Sequence, residues 1–298
     1  MFKKNKIIIA GIWALYMLHP IFSFAQREVL YAQYLVNPLG INPAATGIRQ
    51  NLHLNAILRR QFIANMRSFP ITQSIAIDGS ISDGKIGLGL QALNDRVSLN
   101  KAIYGSFSYI HYISETQKLS IGVLGGINVL PNRTLYVGGN DQVLGSAGVG
   151  IYYEDETFFG GVSMPEILKH NGYNSNSALL NYQRPIFLQG GVKIQPNDYI
   201  IFKPSVLFTK PEGGKIRTDL NALANLYDKF MAGVSVRLGT TTYWQALLGY
   251  DINRNIRVGY NYSSRRVEDF LGSANSLPGS GKGIHEIVFT IQPNPSNQ

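Results

Sequence analysis

Gly87-Leu88-Gly89-Leu90-Gln91-Ala92 spells a dinucleotide fingerprint, in which glycines let a backbone close on a pyrophosphate. That chemistry needs a helix N-terminus facing the phosphate, and these residues sit in an alternating run with no helix after it. Gly279-Ser280-Gly281-Lys282-Gly283 has the look of the end of a phosphate loop. Ser276, however, stands where the first glycine belongs, and Gly283 where the Mg²⁺-binding Ser or Thr belongs, so a flexible loop is expected. His53, His111, His170 and His285 are isolated, with none at metal-site spacing, and are expected at the interface or in a lumen. Glu154, Asp155 and Glu156 lack calcium-loop spacing and read as a solvated turn. There is no Gly-x-Ser-x-Gly elbow. No catalytic, cofactor-binding or metal-ligating residue is assigned, no cofactor is expected, and the chain is read as not an enzyme.

The elements that carry these residues alternate with period two. In Asn255 to Ser263, Ile256, Val258, Tyr260 and Tyr262 fall on one face, and Arg257, Gly259, Asn261 and Ser263 on the other. The same pattern runs through Thr72 to Ile81, Lys85 to Ala92, Lys229 to Leu238 and Tyr243 to Ile252. Less regular candidates are Leu52 to Phe62, Ala102 to Ile113, Lys118 to Leu130, Val143 to Tyr153, Thr157 to Met164, Pro185 to Gln195, Tyr199 to Thr209, Ile216 to Leu226 and Gly283 to Gln292. Together these make about fourteen strands, an even number as in single-chain bacterial barrels. Short polar turns (Ser82-Asp83-Gly84, Glu154-Asp155, Pro196-Asn197, Asn253-Arg254) alternate with longer loops (Pro131 to Gln142, Pro165 to Arg184, Arg265 to Lys282). Short turns on one rim and long loops on the other are a membrane barrel's usual asymmetry, which puts the short ones in the periplasm.

Composition agrees with lipid as the solvent. Only 15% of the 298 residues are charged, against roughly 25% in soluble domains. Mean hydropathy is −0.02, and the only long apolar run lies at the N-terminus, which argues against a helical membrane protein. Residues 1–25 join Lys3, Lys4 and Lys6 to an apolar run from Ile7 to Leu18, with Ser23 and Ala25 before a cleavage point at Gln26. This is the pattern of a secretory signal. Its removal takes three lysines and no acid, lowering the formal charge from +9 to +6. The remaining positive charges are scattered, with no run longer than Arg59-Arg60 or Arg265-Arg266, so no nucleic-acid partner is expected. The chain has no Cys, so strand pairing and packing alone hold an exported fold.

The expected fold is therefore all-β: a closed antiparallel transmembrane barrel over 51–292 in the outer membrane, in contact with its lipid. A turn-rich segment over 26–50 precedes it and a tail over 293–298 follows. Strands of about ten residues suit the hydrocarbon thickness better than a soluble sandwich, the competing architecture. Tyr112, Tyr152, Tyr153, Tyr262 and Phe202, toward strand ends, are expected in interfacial aromatic girdles. Gly87 with Gly89 and Gly122 with Gly126 leave room on the inner face for a plug or a partner, but are read here as sites of strand curvature. Whether the lumen is open or plugged does not follow from these residues.

Gln33-Tyr34-Leu35-Val36-Asn37-Pro38-Leu39-Gly40-Ile41-Asn42-Pro43-Ala44-Ala45-Thr46-Gly47 resembles the start of the PorP/SprF family of the Bacteroidetes type IX secretion system, whose members read close to QY-x-x-NPL-x-INPA-x-x-G after the signal. The resemblance continues in Leu58-Arg59-Arg60-Gln61-Phe62 with Pro70 to Ser74, in Gly87 to Leu90 with Asn94-Asp95, and in Phe202-Lys203-Pro204-Ser205. It returns in Leu247 to Tyr250 through Arg257 to Tyr260 and in His285-Glu286-Ile287. The departure is the end, where the family stops at an aromatic residue and this chain runs from Gln292 through Pro293 to Gln298. The resemblance implies a non-enzymatic barrel scaffolding secretion or gliding machinery. The partners it implies are a periplasmic peptidoglycan-binding secretion protein and a large secreted adhesin with a type B C-terminal sorting domain. It singles out Asn37, Pro38, Asn42, Pro43 and Gly47 as a structural or partner-facing element. The alternative function is a passive outer-membrane channel or a transporter of hydrophobic compounds.

Overall fold

The computed structural model describes residues 32–61, 71–96, 100–130, 133–134, 137–138, 141–169, 184–212, 214–239, 242–264 and 283–293. The signal at 1–25, His170, Arg265-Arg266, most of the glycine loop (Ser276 to Lys282) and the tail from residue 294 on lie outside the described residues. Three 3₁₀ turns come first: η1 Ala32–Leu35, η2 Pro38–Gly40 and η3 Pro43–Ala45. The strands are β1 His53–Gln61, β2 Ile71–Ile81, β3 Ile86–Asp95, β4 Asn100–Tyr112, β5 Lys118–Leu130, β6 Arg133–Thr134, β7 Val137–Gly138, β8 Gln142–Glu154 and β9 Phe158–Met164. They continue with β10 Ile186–Val192, β11 Ile194–Asn197, β12 Ile200–Lys210, β13 Arg217–Leu226, β14 Phe230–Leu238, β15 Tyr243–Asn253, β16 Ile256–Ser263 and β17 Ile284–Ile291.

Fourteen of these close a barrel. Each neighbour along the chain pairs antiparallel, β6 and β7 form a separate two-stranded hairpin, and β11 extends β10 along the same edge of β12. Closure is made twice: β1 pairs with β17 from Leu54↔Ile291 to Gln61↔Ile284, and β10 pairs with β12 from Ile186↔Lys210 to Gly191↔Ser205. Among the described residues every strand of the ring is paired on both sides, as a bilayer requires of a spanning sheet.

Period-two alternation becomes an inside and an outside. On β14, Phe230, Val234, Val236 and Leu238 are exposed to the lipid side while Met231, Gly233, Ser235 and Arg237 are buried inward. Ile121, Val234 and Leu248, at 56%, 56% and 62% exposure, are core-type side chains on the outer wall, which is the inversion lipid demands. The rim holding His53 and Ile291 also holds the short turns. Two are tight hairpins with left-handed residues, Ser82 and Asp83 (φ 54° and 55°) and Tyr227 and Asp228 (φ 54° and 50°). In barrels of this kind that rim is periplasmic.

Aromatic side chains gather on the outer wall at both rims. Tyr199 stacks on Tyr227 (centroids 5.5 Å apart) and Phe230 on Tyr250 (5.3 Å) near the short turns, and Trp244 on Tyr262 (5.4 Å) near the long loops. Tyr112 and Tyr152, expected in these girdles, face inward instead. Val143, Val149 and Ile151 take the outer positions of β8, so strand parity turns Tyr152 to the lumen, where it is 4% exposed.

Candidate functional site

The lumen is filled by the chain's own N-terminal segment. Residues 34–48 run inside the barrel, with Tyr34, Leu39, Ile41, Ala44, Ala45 and Ile48 all buried. Each Asn-Pro step builds one 3₁₀ turn. The Asn37 Oδ1 accepts from the Leu39 N–H (3.1 Å) and the Asn42 Oδ1 from the Ala44 N–H (2.9 Å), while Pro38 and Pro43 open the turns with a fixed φ. The Asn42 Nδ2 also donates to the Ile151 carbonyl on β8 (3.0 Å). One asparagine thus caps its own turn and ties it to the wall.

The wall answers with serines. The Ser163 hydroxyl donates to the Ile41 carbonyl (2.7 Å), Ser120 to Ala44 (2.6 Å) and Ser108 to Thr46 (2.6 Å), while the Thr46 hydroxyl donates to the Pro43 carbonyl (2.7 Å) and lies 3.0 Å from the Ser106 Oγ. These bonds satisfy backbone carbonyls that have no strand partner. Gly47, at φ +67°, turns the segment toward the rim and donates its N–H to Asp78 (2.9 Å). A Cβ there would lie 2.7 Å from both the Gly79 carbonyl oxygen and the Gly87 Cα, so only glycine fits.

Close approach, not curvature, explains two of the inner-face glycines. A Cβ on Gly87 would fall 2.1 Å from the Thr46 carbonyl oxygen, and one on Gly122 would fall 2.5 Å from the Ala44 Cα. On β8 and β9 the same holds for Gly150 and Gly161, whose Cβ atoms would meet the Asn42 amide at 2.0 and 2.6 Å. Gly126 contacts only the neighbouring strand, at Ile103 and Tyr104.

Deeper in the lumen, Tyr34 donates its hydroxyl to Asp219 and lies 3.0 Å from Asn221 Oδ1. Asp219 is itself held by Arg237 in a two-pronged pair (Nε 2.6 Å, Nη2 2.5 Å), both side chains being buried. Tyr34 and Ile41 pack on Phe187 and Leu207, and Val36 on Leu223, Met231 and Leu247. A third cluster places Ala44, Ala45 and Ile48 on Ile110 and Tyr152. The segment therefore crosses from the β2–β4 side of the periplasmic rim to the β13 wall.

The candidate motif residues Asn37, Pro38, Asn42, Pro43 and Gly47 are thus brought together in one plug. Of the histidines, His53 faces the lumen with its Nε2 2.7 Å from Arg49, His285 lies on the outer wall against Tyr260, and His111 is exposed. Among the described residues no group of three or more His, Cys, Asp or Glu side chains could hold a metal. The acidic turn is used locally. Lys193 pairs with Glu154 (2.5 Å), and Asp155 accepts from the Phe158 and Thr157 N–H groups (2.5 and 2.6 Å). The Phe158 N–H holds the Asp155 carboxyl below the usual carboxylate range, and hydrogen bonding to Arg184 does the same for Glu212 among the long loops.

Below the plug, on the periplasmic side, a vestibule of about 880 Å³ opens between β12 and β1. Arg49 spans plug and vestibule, donating from Nη2 to the Val36 carbonyl. Sequence reasoning missed this vestibule and the wall serines. The one available signal was the recurrence of Ser and Gly on inner faces of successive strands.

No curated protein matches this chain in sequence. Among solved structures, Omp33 of Acinetobacter baumannii superposes with a TM-score of 0.52 at 6% identity, over 83% of this chain and 100% of that one. The CymD monoaromatic hydrocarbon channel gives 0.52 at 10% identity, over 90% and 94%. At such identities the likeness is one of fold, an outer-membrane barrel. The family model described as type IX secretion system membrane protein PorP/SprF matches residues 23–291, plug and barrel together, and the chain belongs to that family of outer-membrane proteins.

Proposed function

We propose that this protein is a non-enzymatic anchor of the type IX secretion or gliding machinery. It holds a periplasmic peptidoglycan-binding component at the outer membrane and supports export or surface attachment of adhesins with a type B sorting domain. The observation that carries the reading is the occupied lumen: the Asn-Pro segment is tied to at least five strands of the wall, accepting hydrogen bonds from Ser108, Ser120 and Ser163 and donating to Asp78 and Asp219. A conduit for solutes needs that volume free, and an anchor does not. The plug residues are also those of the family's opening motif, which fits an element serving the common role and not a particular solute.

The test is deletion of the protein followed by assay of cell-surface cargo, with pull-down of the mature protein from outer membranes. Loss of surface cargo and recovery of secretion components are expected. Normal surface cargo in the deletion strain, or pull-downs lacking every secretion component, would overturn the reading. Steady ion conductance of the purified barrel in planar bilayers would favour a passive channel instead.

A further inference from the structure

The periplasmic vestibule carries more positive charge than the fold requires. Five cationic side chains line it, Arg49, Lys203, Lys229, Arg254 and Arg257, against two carboxylates, Asp228 and Asp251. Asp251 is committed to Arg257 by two 2.7 Å bonds, and Arg49 to His53 and the plug backbone. The side chains of Lys203, Lys229 and Arg254 have no ion pair or hydrogen bond among the described residues. Lys203 stands out because β12 parity turns it into the lumen, beside Asn225, whose buried Oδ1 also has no partner. An ammonium drawn part-way out of water without a directly bonded carboxylate, with Glu154 acting on it only at a distance and Lys193, Arg49 and Arg257 repelling it, is costly, and a concave low-dielectric wall strengthens its attraction for an anion.

We propose that this vestibule receives an acidic peptide segment of a periplasmic protein, with carboxylates meeting Lys203, Arg254 and Lys229. The occupant enters along the barrel axis from the periplasm, because the closed wall separates the vestibule from lipid headgroups outside. The cavity is in the size range of organic ligand sites, about 300–1,000 Å³, and a lone phosphate would leave most of it empty. Its lining also includes Ile201, on the same inward face of β12 as Lys203, which suits an apolar residue interleaved with the acids. Asn225 supplies an acceptor for a peptide N–H. The assignment rests on the anchoring role proposed above and names the chemistry of the partner's contact.

The experiment uses the full mature protein in nanodiscs and a fluorescent, end-blocked peptide alternating glutamate with tyrosine. A matched peptide with lysine in place of glutamate is the control. The acidic peptide is expected to bind with an affinity that falls with salt, and the lysine peptide not to bind. Lys203→Gln should weaken binding about tenfold and Arg254→Gln about threefold, while Lys203→Arg restores it. Retention of the barrel's heat-modifiable gel shift shows that a variant has folded, and a variant without the shift is replaced by Lys229→Gln, also expected to lose about threefold. Equal binding of both peptides, or unchanged binding to folded Lys203→Gln and Lys229→Gln, would overturn the proposal. Displacement by inorganic phosphate or by anionic phospholipid vesicles as effectively as by unlabelled peptide would overturn it in favour of a small anion or a lipid headgroup. Peptide binding with normal surface cargo in the deletion strain would sink the anchoring role alone. Absent binding with lost cargo would sink the vestibule alone.

Discussion

Gly122→Ala separates the plug from the barrel that holds it. The new Cβ would stand 2.5 Å from the Ala44 Cα and N and from the Pro43 carbonyl carbon, all backbone atoms that no rotamer change can move. Carbon contacts settle near 3.5–4.0 Å, so the plug must retreat by about 1 Å. That retreat stretches the Ser120 to Ala44 hydrogen bond, now 2.6 Å, past its useful range. The lost bond costs about 1 kcal/mol and the overpacking about 1–3 kcal/mol, or roughly 2–4 kcal/mol borne by the plug. The wall itself gains, since alanine in a strand is better than glycine by about 0.5–1 kcal/mol. The chain has no cysteine, so Ala45→Cys, at a site 3% exposed, is a clean reporter for a water-soluble maleimide. A shift of 2 kcal/mol predicts about thirtyfold faster labelling with the gel-shift stability of the barrel unchanged. Gly125→Ala, on the same strand but the lipid face with nothing within 4 Å, is the control and leaves labelling as it was. Equal labelling rates in the Gly122→Ala and Gly125→Ala backgrounds, with both barrels intact, would refute a plug seated on Gly122.

Arg237→Met leaves Asp219 and the Tyr34 hydroxyl without their cation in a buried site, and should cost about 3–5 kcal/mol of unfolding stability in urea. Asn42→Ala removes the cap on Ala44 and the bond to Ile151, and is expected to destabilise the plug by about 1–2 kcal/mol, read as faster labelling at position 45 with normal barrel insertion. Val234→Arg puts a cation on the lipid face midway along β14, costing about 2–4 kcal/mol in lipid-bilayer folding titrations; little change would deny that this face meets hydrocarbon.

Much of the barrel was legible because its signal is local. A strand in lipid must alternate along its whole length, so Lys229 to Leu238 or Tyr243 to Ile252 declares its faces without knowledge of its partners. Closure also follows locally, from the cost of an unpaired edge in hydrocarbon. The plug was not legible for the opposite reason. Its partners lie far along the chain, Tyr34 bonding Asp219 across 185 positions and Asn42 bonding Ile151 across 109. Asn37-Pro38 and Asn42-Pro43 announce turns, but nothing in a turn says what surrounds it. The glycines failed differently: Gly122 and Gly125 look alike in sequence, and only parity plus the position of Ala44 distinguishes a seat for backbone from an empty lipid-facing position. Tyr152 and Tyr153 are adjacent, so one had to face inward, and composition near a strand end does not say which.

The chemistry of the plug bears on what kind of device the barrel is. Three of its contacts are wall hydroxyls donating to main-chain carbonyls, which hold a backbone path and discriminate poorly between side chains. Specificity is left to Asn42, Gly47 and Tyr34, each with a partner of its own on the wall. The segment is also covalently continuous with β1, only a few residues from Gly47 to His53, so a released plug stays at high effective concentration and reseats. A solute at ordinary abundance competes poorly with such a tether. What the arrangement does favour is transmission between plug and rim: Arg49 holds the Val36 carbonyl inside the lumen and lines the vestibule below, so an anion bound there acts on the same guanidinium that steadies the plug. On the anchoring role proposed above, a lumen that holds its own segment through five strands and a cationic periplasmic mouth together offer a partner a rigid, charged face.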